Sequence, residues 1–196
     1  INNMNNEFLI SIIINCYNGE KFLQEAISSV LNQSYLNWEL IFWDNQSKDK
    51  SAEIIRKYNN PKIRYFLSLK HTSLGEARSL AFEKTKGDWI AFLDCDDFWD
   101  KDKLQYQVNA LKAYKGEVGL VYSNCQLFKD VVKNNRVHRM KRVAPGNNKL
   151  PQGNISRYLF SGNFIPFPSV LYKREAVIEA GNFSNFKFCP DYYLTL

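Results

Sequence analysis

Short apolar runs that alternate with stretches of helical spacing constrain the fold of this chain more than any other feature. Each run is too short for an ordinary helix and is rich in β-branched or aromatic residues, as buried strands are. Between the runs, apolar residues recur every three or four positions, as on one face of a helix. The alternation predicts an α/β fold in which helices cover both faces of a mostly parallel, doubly wound sheet. The predicted strands are residues 8–14, 38–43, 63–67, 89–93 and 118–122.

The predicted helices have recognisable beginnings. Asn18 is a reasonable N-cap for the first helix, and Ser73 with Glu76 has capping-box spacing at the start of the third. Asp100 is predicted to begin the fourth. The second half of the chain is less regular. It predicts a hairpin or long excursion at 126–142, a loop at 146–153, a short helix at 155–160, a strand at 167–172, a helix at 174–180 and a helix start at Pro190.

Composition indicates one globular domain. The chain has 196 residues, 45% of them hydrophobic, which is enough to bury the core of a single domain spanning residues 1–196. The N-terminus lacks the pattern of a signal peptide and no apolar run reaches membrane-spanning length, so we expect a cytoplasmic protein. Four cysteines stand far apart with no CxxC pair, which predicts neither a disulfide framework nor a zinc site. The chain stops at Leu196 in mid-pattern, and we expect it to be truncated at its C-terminus.

Three carboxylates follow the most apolar of the predicted strands. Asp94, Asp96 and Asp97 lie within residues 88–99 (DWIAFLDCDDFW), and carboxylates this close repel one another unless a cation is shared between them. Oxygen ligands suit a hard ion such as Mg²⁺ or Mn²⁺ better than zinc. The alternative is a solvated acidic turn ahead of a helix capped by Asp100. Residues elsewhere in the chain must decide between the two.

The predicted sheet brings other polar residues to the same place. Tyr17, Asp44 and the Asp94 cluster each follow a different predicted strand. Ligands of open α/β sheets bind outside the carboxyl ends of the strands. We therefore expect these residues to share one crevice, which favours the cation over the solvated turn.

Nucleotide binding at this crevice would have to proceed without a glycine-rich phosphate loop. Neither GxGxxG nor GxxxxGK[ST] is present, whereas a carboxylate-held metal can bridge two phosphate oxygens. Asp44 could accept a hydrogen bond from a base or ribose. Arg78, near the start of its helix, could reach the same edge or be a solvated helix residue.

Six segments, in order, resemble family-2 glycosyltransferases of the GT-A fold. The resemblance implies a Rossmann-like three-layer α/β/α sandwich and inverting transfer of a sugar from a nucleoside diphosphate, usually with Mn²⁺ or Mg²⁺. It places the nucleotide-binding half at about residues 8–100 and the acceptor-side half at about 101–196. The segments are 11–18 (SIIINCYN), 39–49 (ELIFWDNQSKD), 75–78 (GEAR), 87–99 (GDWIAFLDCDDFW), 174–183 (REAVIEAGNF) and 190–194 (PDYYL).

The resemblance also implies roles for single residues. Asn15 and Tyr17 would flank the nucleobase, Asp44 would hydrogen-bond it and Arg78 would help to hold the nucleotide. Asp94 would contact the ribose side, Asp96 would bind the metal, and Asp97 would support or share that role. Asp191 falls where the family carries its catalytic base, although the residues alone also allow a carboxylate favoured at a helix N-terminus. The sequence departs from the family at Pro190, where glutamate is usual, and at Asn45 and Gln46, where Asp-Gly is frequent.

Two other functions compete with this interpretation. A sugar-phosphate nucleotidyltransferase also binds nucleotide and metal, but its glycine-rich, basic N-terminal signature is missing from residues 12–20. A nucleic-acid binder is suggested by the basic stretch 129–149, although no nucleic-acid-binding motif accompanies it, and a non-catalytic nucleotide-binding or basic surface-binding module is a further alternative. We expect that stretch to face an anionic glycan or lipid-linked acceptor or the inner face of a membrane, with a solvated loop as the alternative. Its charged residues are Lys129, Lys133, Arg136, Arg139, Lys141, Arg142 and Lys149, against Asp130.

Overall fold

The computed structural model describes residues 7–133, 136–144 and 150–183, with the side chains of residues 129–141 excepted. The strands are β1 (Ile10–Cys16), β2 (Trp38–Asp44), β3 (Ile63–Leu67), β4 (Trp89–Phe92), β5 (Leu120–Val121), β6 (Cys125–Lys133), β7 (Arg136–Ala144) and β8 (Leu171–Lys173). The helices are α1 (Leu23–Leu31), α2 (Ser51–Arg56), α3 (Leu74–Phe82), α4 (Lys103–Ala113), α5 (Ser156–Leu159) and α6 (Arg174–Glu179). The predicted helix start at Pro190 lies outside the described residues.

The central sheet is mostly parallel, as predicted. Its strand order is β3-β2-β1-β4-β8-β5, and β1 pairs in parallel with both β2 and β4. β8 runs antiparallel to β4 and β5. The predicted hairpin is also confirmed, because β6 and β7 form a separate two-stranded antiparallel sheet.

Helices cover both faces of the sheet and give it the three-layer α/β/α architecture. Alternate residues of β1 enter two cores: Ile12 and Ile14 pack with α1, α2 and α4, whereas Ile13 packs with α3, α5 and α6. All three isoleucines are fully buried. A strand that is apolar on both faces is expected of a parallel sheet covered by helices on either side.

Three sequence predictions need correction at their ends. α1 begins at Leu23 after Phe22 and has no side-chain cap, so Asn18 does not cap it. The predicted strand 167–172 begins as a 3-10 turn, Phe167–Ser169, because Pro168 has no N–H to donate to a sheet, and only Leu171–Lys173 forms β8. α4 begins at Lys103 after Asp102, whereas Asp100 accepts a hydrogen bond from the Asp102 amide at 2.9 Å. Asp100 therefore shapes the turn before the helix and does not cap it.

A buried polar network joins three strands at the edge opposite the predicted crevice. Ser11 Oγ donates to Glu39 Oε1 at 2.7 Å and accepts from the Gly87 amide at 2.8 Å. Glu39 also accepts from Arg64 Nη1 at 3.0 Å. Gly87 lies so close to β1 that an added Cβ would be 2.5 Å from the Leu9 carbonyl oxygen. The loop between α3 and β4 can approach the sheet here only through a residue without a side chain.

Within the described ranges, no helix combines the length and the apolar character that crossing a membrane requires.

We predict that Gly87→Ala lowers the free energy of unfolding by about 1–3 kcal/mol, because the added methyl group meets backbone atoms that cannot move independently. Gly119→Ala is the matched control, since the nearest atom to its added Cβ is 3.8 Å away. We expect that variant to stay within about 0.5 kcal/mol of the parent. Urea unfolding followed by circular dichroism measures both, and equal stability of the two variants would contradict the close approach at Gly87.

Candidate active site at the carboxyl edge of the sheet

The loops that follow β1 and β2 are hydrogen-bonded to each other. The Asn45 amide donates to the Cys16 carbonyl at 2.8 Å, and the Lys48 amide donates to Asn18 Oδ1 at 2.8 Å. Asn18 and Gln46 both have left-handed backbones, with φ of 54° and 69°. Left-handed residues other than glycine are uncommon and concentrate at functional sites. The two strand exits thus form one ordered rim.

Asp44 lies beneath this rim and is only 1% exposed. Its Oδ1 accepts from the Ser47 amide at 2.8 Å, and its Oδ2 accepts from the Tyr65 hydroxyl at 2.9 Å. Burial, and then the hydrogen bond to Asp44, raise the pKa of Tyr65, which keeps the phenol protonated as a donor. Asp44 therefore shapes the β2 exit, and its contact with a base stays a prediction.

An aromatic pair at the same edge was not expected from the sequence. The Tyr17 and His71 rings lie 4.2 Å apart between centroids, and both side chains are exposed. The His71 Nδ1 atom is 2.9 Å from the Asn45 carbonyl oxygen. Because a carbonyl can only accept, Nδ1 carries the hydrogen and Nε2 of the neutral ring is an acceptor. Asn45 also fixes the neighbouring Thr72, donating to its carbonyl at 2.9 Å.

Two buried hydrogen-bond donors lie next to each other at this end of the sheet. Asn15 and Trp43 are direct partners in the β1–β2 register. The Asn15 Nδ2 amide and the Trp43 indole N–H are both buried, and neither has a hydrogen-bond partner among the residues that the structure describes. Buried polar groups are normally paired, and a functional site is one reason for an exception. Asn15 was predicted to belong to the site, whereas Trp43 was not.

Arg78 is a buried cation at the edge, not a solvated helix residue. Its side chain is 4% exposed, and Nη2 is 3.4 Å from Asp94 Oδ1. The guanidinium also lies 3.9 Å from the centroid of the Phe167 ring. A buried guanidinium with an aromatic face beneath it and a partly exposed carboxylate beside it holds that carboxylate in position. Arg78 thus orients Asp94, and a direct contact with a nucleotide stays a prediction.

The predicted carboxylate cluster forms a tight turn. The Asp97 amide donates to the Asp94 carbonyl at 3.1 Å, and Asp96 lies exposed between them. Burial of the Asp97 carboxyl, and then the charges of Asp94 and Asp96, raise the pKa of Asp97 to about 6. The smaller part of the shift, which comes from the neighbouring carboxylates, is of the kind that a bound cation would offset.

The described residues fit a metal ion whose coordination shell is completed by oxygens of the substrate. No group of three or more acidic, histidine or cysteine ligands converges in that part of the chain. Mg²⁺ and Mn²⁺ need no such cage, because Mg²⁺ is typically held by one or two carboxylates plus phosphate oxygens and water. Asp96 and Asp97 supply that number of carboxylates.

The segment after the turn is anchored to the second half of the chain. The Trp99 indole donates to the Pro168 carbonyl at 3.0 Å, and Lys103 Nζ lies 4.0 Å from the Trp99 ring centroid. Burial lowers the pKa of Lys103 to about 7. The predicted site residue Asp191 and the loop residues 145–149 lie outside the described residues.

Comparison with known proteins places this edge in context. A model of the family described as Glycosyl transferase family 2 matches residues 11–180. The UDP-Glc:alpha-D-GlcNAc-diphosphoundecaprenol beta-1,3-glucosyltransferase WfgD of Escherichia coli is 33% identical over 139 residues, covering 71% of this chain and 52% of that protein. The putative teichuronic acid biosynthesis glycosyltransferase TuaG of Bacillus subtilis is 35% identical over 102 residues, covering 51% and 40%. The chain spans about half the length of the curated relatives it matches.

Solved structures share the fold at lower sequence identity. S. aureus TarS 1-349 in complex with UDP has a TM-score of 0.65 at 19% identity, covering 95% of this chain and 53% of that one. The mannosyltransferase PcManGT from Pyrobaculum calidifontis, in complex with GDP-Man and Mn²⁺, has a TM-score of 0.62 at 17% identity, covering 88% and 46%. At these identities the likeness concerns the fold alone.

We predict that Mn²⁺ affinity falls as the pH falls through about 6, the pKa of Asp97, because the metal binds the ionised carboxylate and competes with a proton. Above pH 7 the affinity should be constant. Electron paramagnetic resonance of free Mn²⁺ between pH 5 and 8 measures it. Asp97→Asn should bind more weakly and lose the pH dependence in that range. An unchanged pH profile in the variant would remove Asp97 from the metal site.

Proposed function

The chain belongs to glycosyl transferase family 2 and has the GT-A fold, and from this premise we propose that it transfers a sugar from a nucleoside diphosphate donor to an acceptor hydroxyl with inversion at the anomeric carbon. A UDP-sugar is the donor we propose. The observation that carries the proposal is the meeting of the aromatic pair, the buried donors and the carboxylate turn at one edge of the sheet. We propose that the base, the ribose and the diphosphate of the donor each contact one of these groups.

The base would lie against the Tyr17 and His71 rings. The Asn15 amide can donate to a carbonyl of the base, and the outward Nε2 atom of neutral His71 can accept from a ring N–H. Uracil and guanine carry both a carbonyl and a ring N–H, whereas cytosine has no ring N–H to donate. The UDP complex of TarS, which has the same fold, supports uracil as the first base to test.

The diphosphate would lie at the carboxylate turn. We propose that Asp96, with Asp97, holds Mn²⁺ or Mg²⁺, which when bound stabilises the negative charge on the leaving diphosphate. Asp94, oriented by Arg78, would contact the ribose side of the nucleotide. Base, ribose and diphosphate would then contact the aromatic pair, Asp94 and Asp96, in that order.

Proton transfer is assigned to Asp191 by the family resemblance. The acceptor oxygen forms a bond to the anomeric carbon while the bond from that carbon to the diphosphate oxygen breaks. The acceptor's proton passes to the Asp191 carboxylate. General-base help of this kind contributes about 10²–10⁴ to the rate.

The acceptor we propose is a glycan or lipid-linked saccharide. WfgD, by its name, acts on a diphosphoundecaprenol-linked sugar, and TuaG by its name takes part in teichuronic acid biosynthesis. Phe98, directly after the carboxylate turn, stacks on Phe128 of β6 at 5.7 Å, and both rings are exposed. We propose that this aromatic surface and the basic stretch 129–149 face a saccharide with an anionic diphosphate, at the inner face of a membrane.

We predict that UDP stabilises the protein and that Mn²⁺ increases the effect. A ligand at about 100 times its dissociation constant adds about 2.7 kcal/mol to stability. Asp96→Asn should lose the Mn²⁺-dependent part, whereas Glu117→Gln, an equal charge change on an exposed loop before β5, should keep it. A thermal-shift series with UDP, GDP, CMP and dTDP, with and without Mn²⁺, measures both. Equal Mn²⁺-dependent stabilisation of Asp96→Asn and the parent would contradict the metal assignment.

We predict that Asp191→Asn keeps donor and metal binding but lowers sugar transfer by about 10²-fold or more, because the amide cannot accept the acceptor's proton. Thermal shift with UDP and Mn²⁺ reports binding, and release of UDP in the presence of acceptor reports transfer. Asp96→Asn is the comparison, since it should lose the Mn²⁺-dependent part of UDP binding as well as sugar transfer. Transfer near the parental rate by Asp191→Asn would exclude it as the base.

A further inference from the structure

Two cysteines face each other beside the proposed metal site. Cys16 is the last residue of β1, and Cys95 lies in the carboxylate turn between Asp94 and Asp96. The β1–β4 register pairs Ile13 with Phe92 and continues through the Leu93 amide, which donates to the Ile13 carbonyl at 3.0 Å. Cys16 lies three residues beyond Ile13 and Cys95 three residues beyond Phe92, so both follow this pairing at the same edge of the sheet.

The two thiols lie close together. Both are on the same side of the sheet, where Cys95 packs against the core that contains Cys16. A Cβ added to Gly19 would be 2.9 Å from each Sγ atom. The backbone of Gly19 therefore lies against both sulfurs at once. Cys16, Cys95 and Cys125 are all free thiols in the part of the chain that the structure describes.

The surroundings of the pair favour ionisation of the inner thiol. The hydrogen bond with Cys95 lowers the pKa of Cys16 to about 7, although burial opposes the shift. The thiolate is the nucleophilic form of cysteine, so Cys16 is reactive at neutral pH. Cys16 is only 1% exposed, whereas Cys95 is partly exposed, so a small oxidant suits the site better than a bulky one.

We propose that Cys16 and Cys95 form an oxidative modification site, which a hydroperoxide converts to a disulfide that switches off donor binding at the adjoining carboxylate turn. The formation of the disulfide depends only on the cysteine pair. Its effect on donor binding rests on the proposed function.

The chemistry balances with hydrogen peroxide as the oxidant. The Cys16 thiolate attacks one peroxide oxygen, the O–O bond breaks, and Cys16 sulfenic acid and hydroxide form. The Cys95 sulfur then attacks the sulfenic sulfur, the S–O bond breaks and the S–S bond forms. Hydroxide takes up the Cys95 proton, so that two thiols and one peroxide give one disulfide and two water molecules. Thiol reductants reverse the change by exchange.

The disulfide would displace the metal-binding carboxylates. An S–S bond of about 2.05 Å draws the two sulfurs together and ties the turn that carries Cys95 covalently to the end of β1. Asp94 and Asp96 are the direct neighbours of Cys95 in the chain, and Asp94 is held on its other side by Arg78. Displacements of about 1 Å in active sites can lower the reaction rate by about 10²-fold, and we expect donor binding to be weakened as well. The oxidised protein should therefore bind UDP and Mn²⁺ at least about tenfold more weakly.

The test uses a Cys125→Ser, Cys189→Ser background, in which Cys16 and Cys95 are the remaining cysteines. The protein is treated with hydrogen peroxide, and half is then reduced with dithiothreitol. Peptide mapping without reduction should recover the Cys16 and Cys95 peptides joined, with the mass of two hydrogen atoms missing. UDP titrations in the presence of Mn²⁺ should show weaker binding after peroxide and full recovery after reduction.

Single variants separate the disulfide from other oxidation. Cys16→Ala and Cys95→Ala, each in the same background, should have the same UDP affinity before and after peroxide followed by removal of the oxidant. Failure to recover the joined peptides would overturn the modification site, and a disulfide without weaker binding would overturn the switch. Peptide mapping does not require nucleotide binding. If the reduced protein binds no UDP, the proposed function is contradicted, whereas the modification site is still decided by the mapping result.

Discussion

The parallel pairing of β1 with both β2 and β4 is the constraint on which the rest of the structure depends. Because all three strands run in one direction, their carboxyl ends lie at the same edge of the sheet. Residues that are far apart in the chain, such as Tyr17, Asp44 and Asp94, therefore become neighbours. The strand that achieves this is buried on both faces, which makes its register costly to change.

The charged side chains at this edge have two different kinds of surroundings. Arg78 is buried and pairs with the partly exposed Asp94, with an aromatic ring beneath the guanidinium, so the two form a fixed support. Asp96 and Asp97 have no comparable cation among the salt bridges of the described residues, and desolvation, followed by the charges of Asp94 and Asp96, raises the pKa of Asp97. A site built in this way has a rigid part that positions the ligand and a charged part that is completed by it.

The sequence predicted the parts of this arrangement that depend on local pattern. The strands, their polar exits and the Asp94–Asp97 turn follow from apolar periodicity and from the rule that parallel strands share an edge. The roles of His71, Asn45 and Trp43 could not be predicted, because each depends on a contact between loops or strands that the sequence alone does not align. The buried position of Asp44 and the aromatic support of Arg78 by Phe167 were missed for the same reason. The sequence position of Cys95 is plain, but its closeness to Cys16 needs the β1–β4 register.

The antiparallel strand β8 has a consequence for how the chain acquires this structure. It lies between β4 and β5, although it is formed by residues near the end of the described chain. During synthesis, one side of β4 pairs with β1, but the other side stays without a partner until Leu171–Lys173 have been made. Unpaired strand edges are sites of intermolecular association. The pairing that closes the sheet is also of high sequence separation, which slows folding. The first hundred residues contain most of the proposed nucleotide site but not β8, the strand that covers the free side of β4. The nascent chain is therefore most prone to aggregation after the nucleotide site has been made and before β8 has been added.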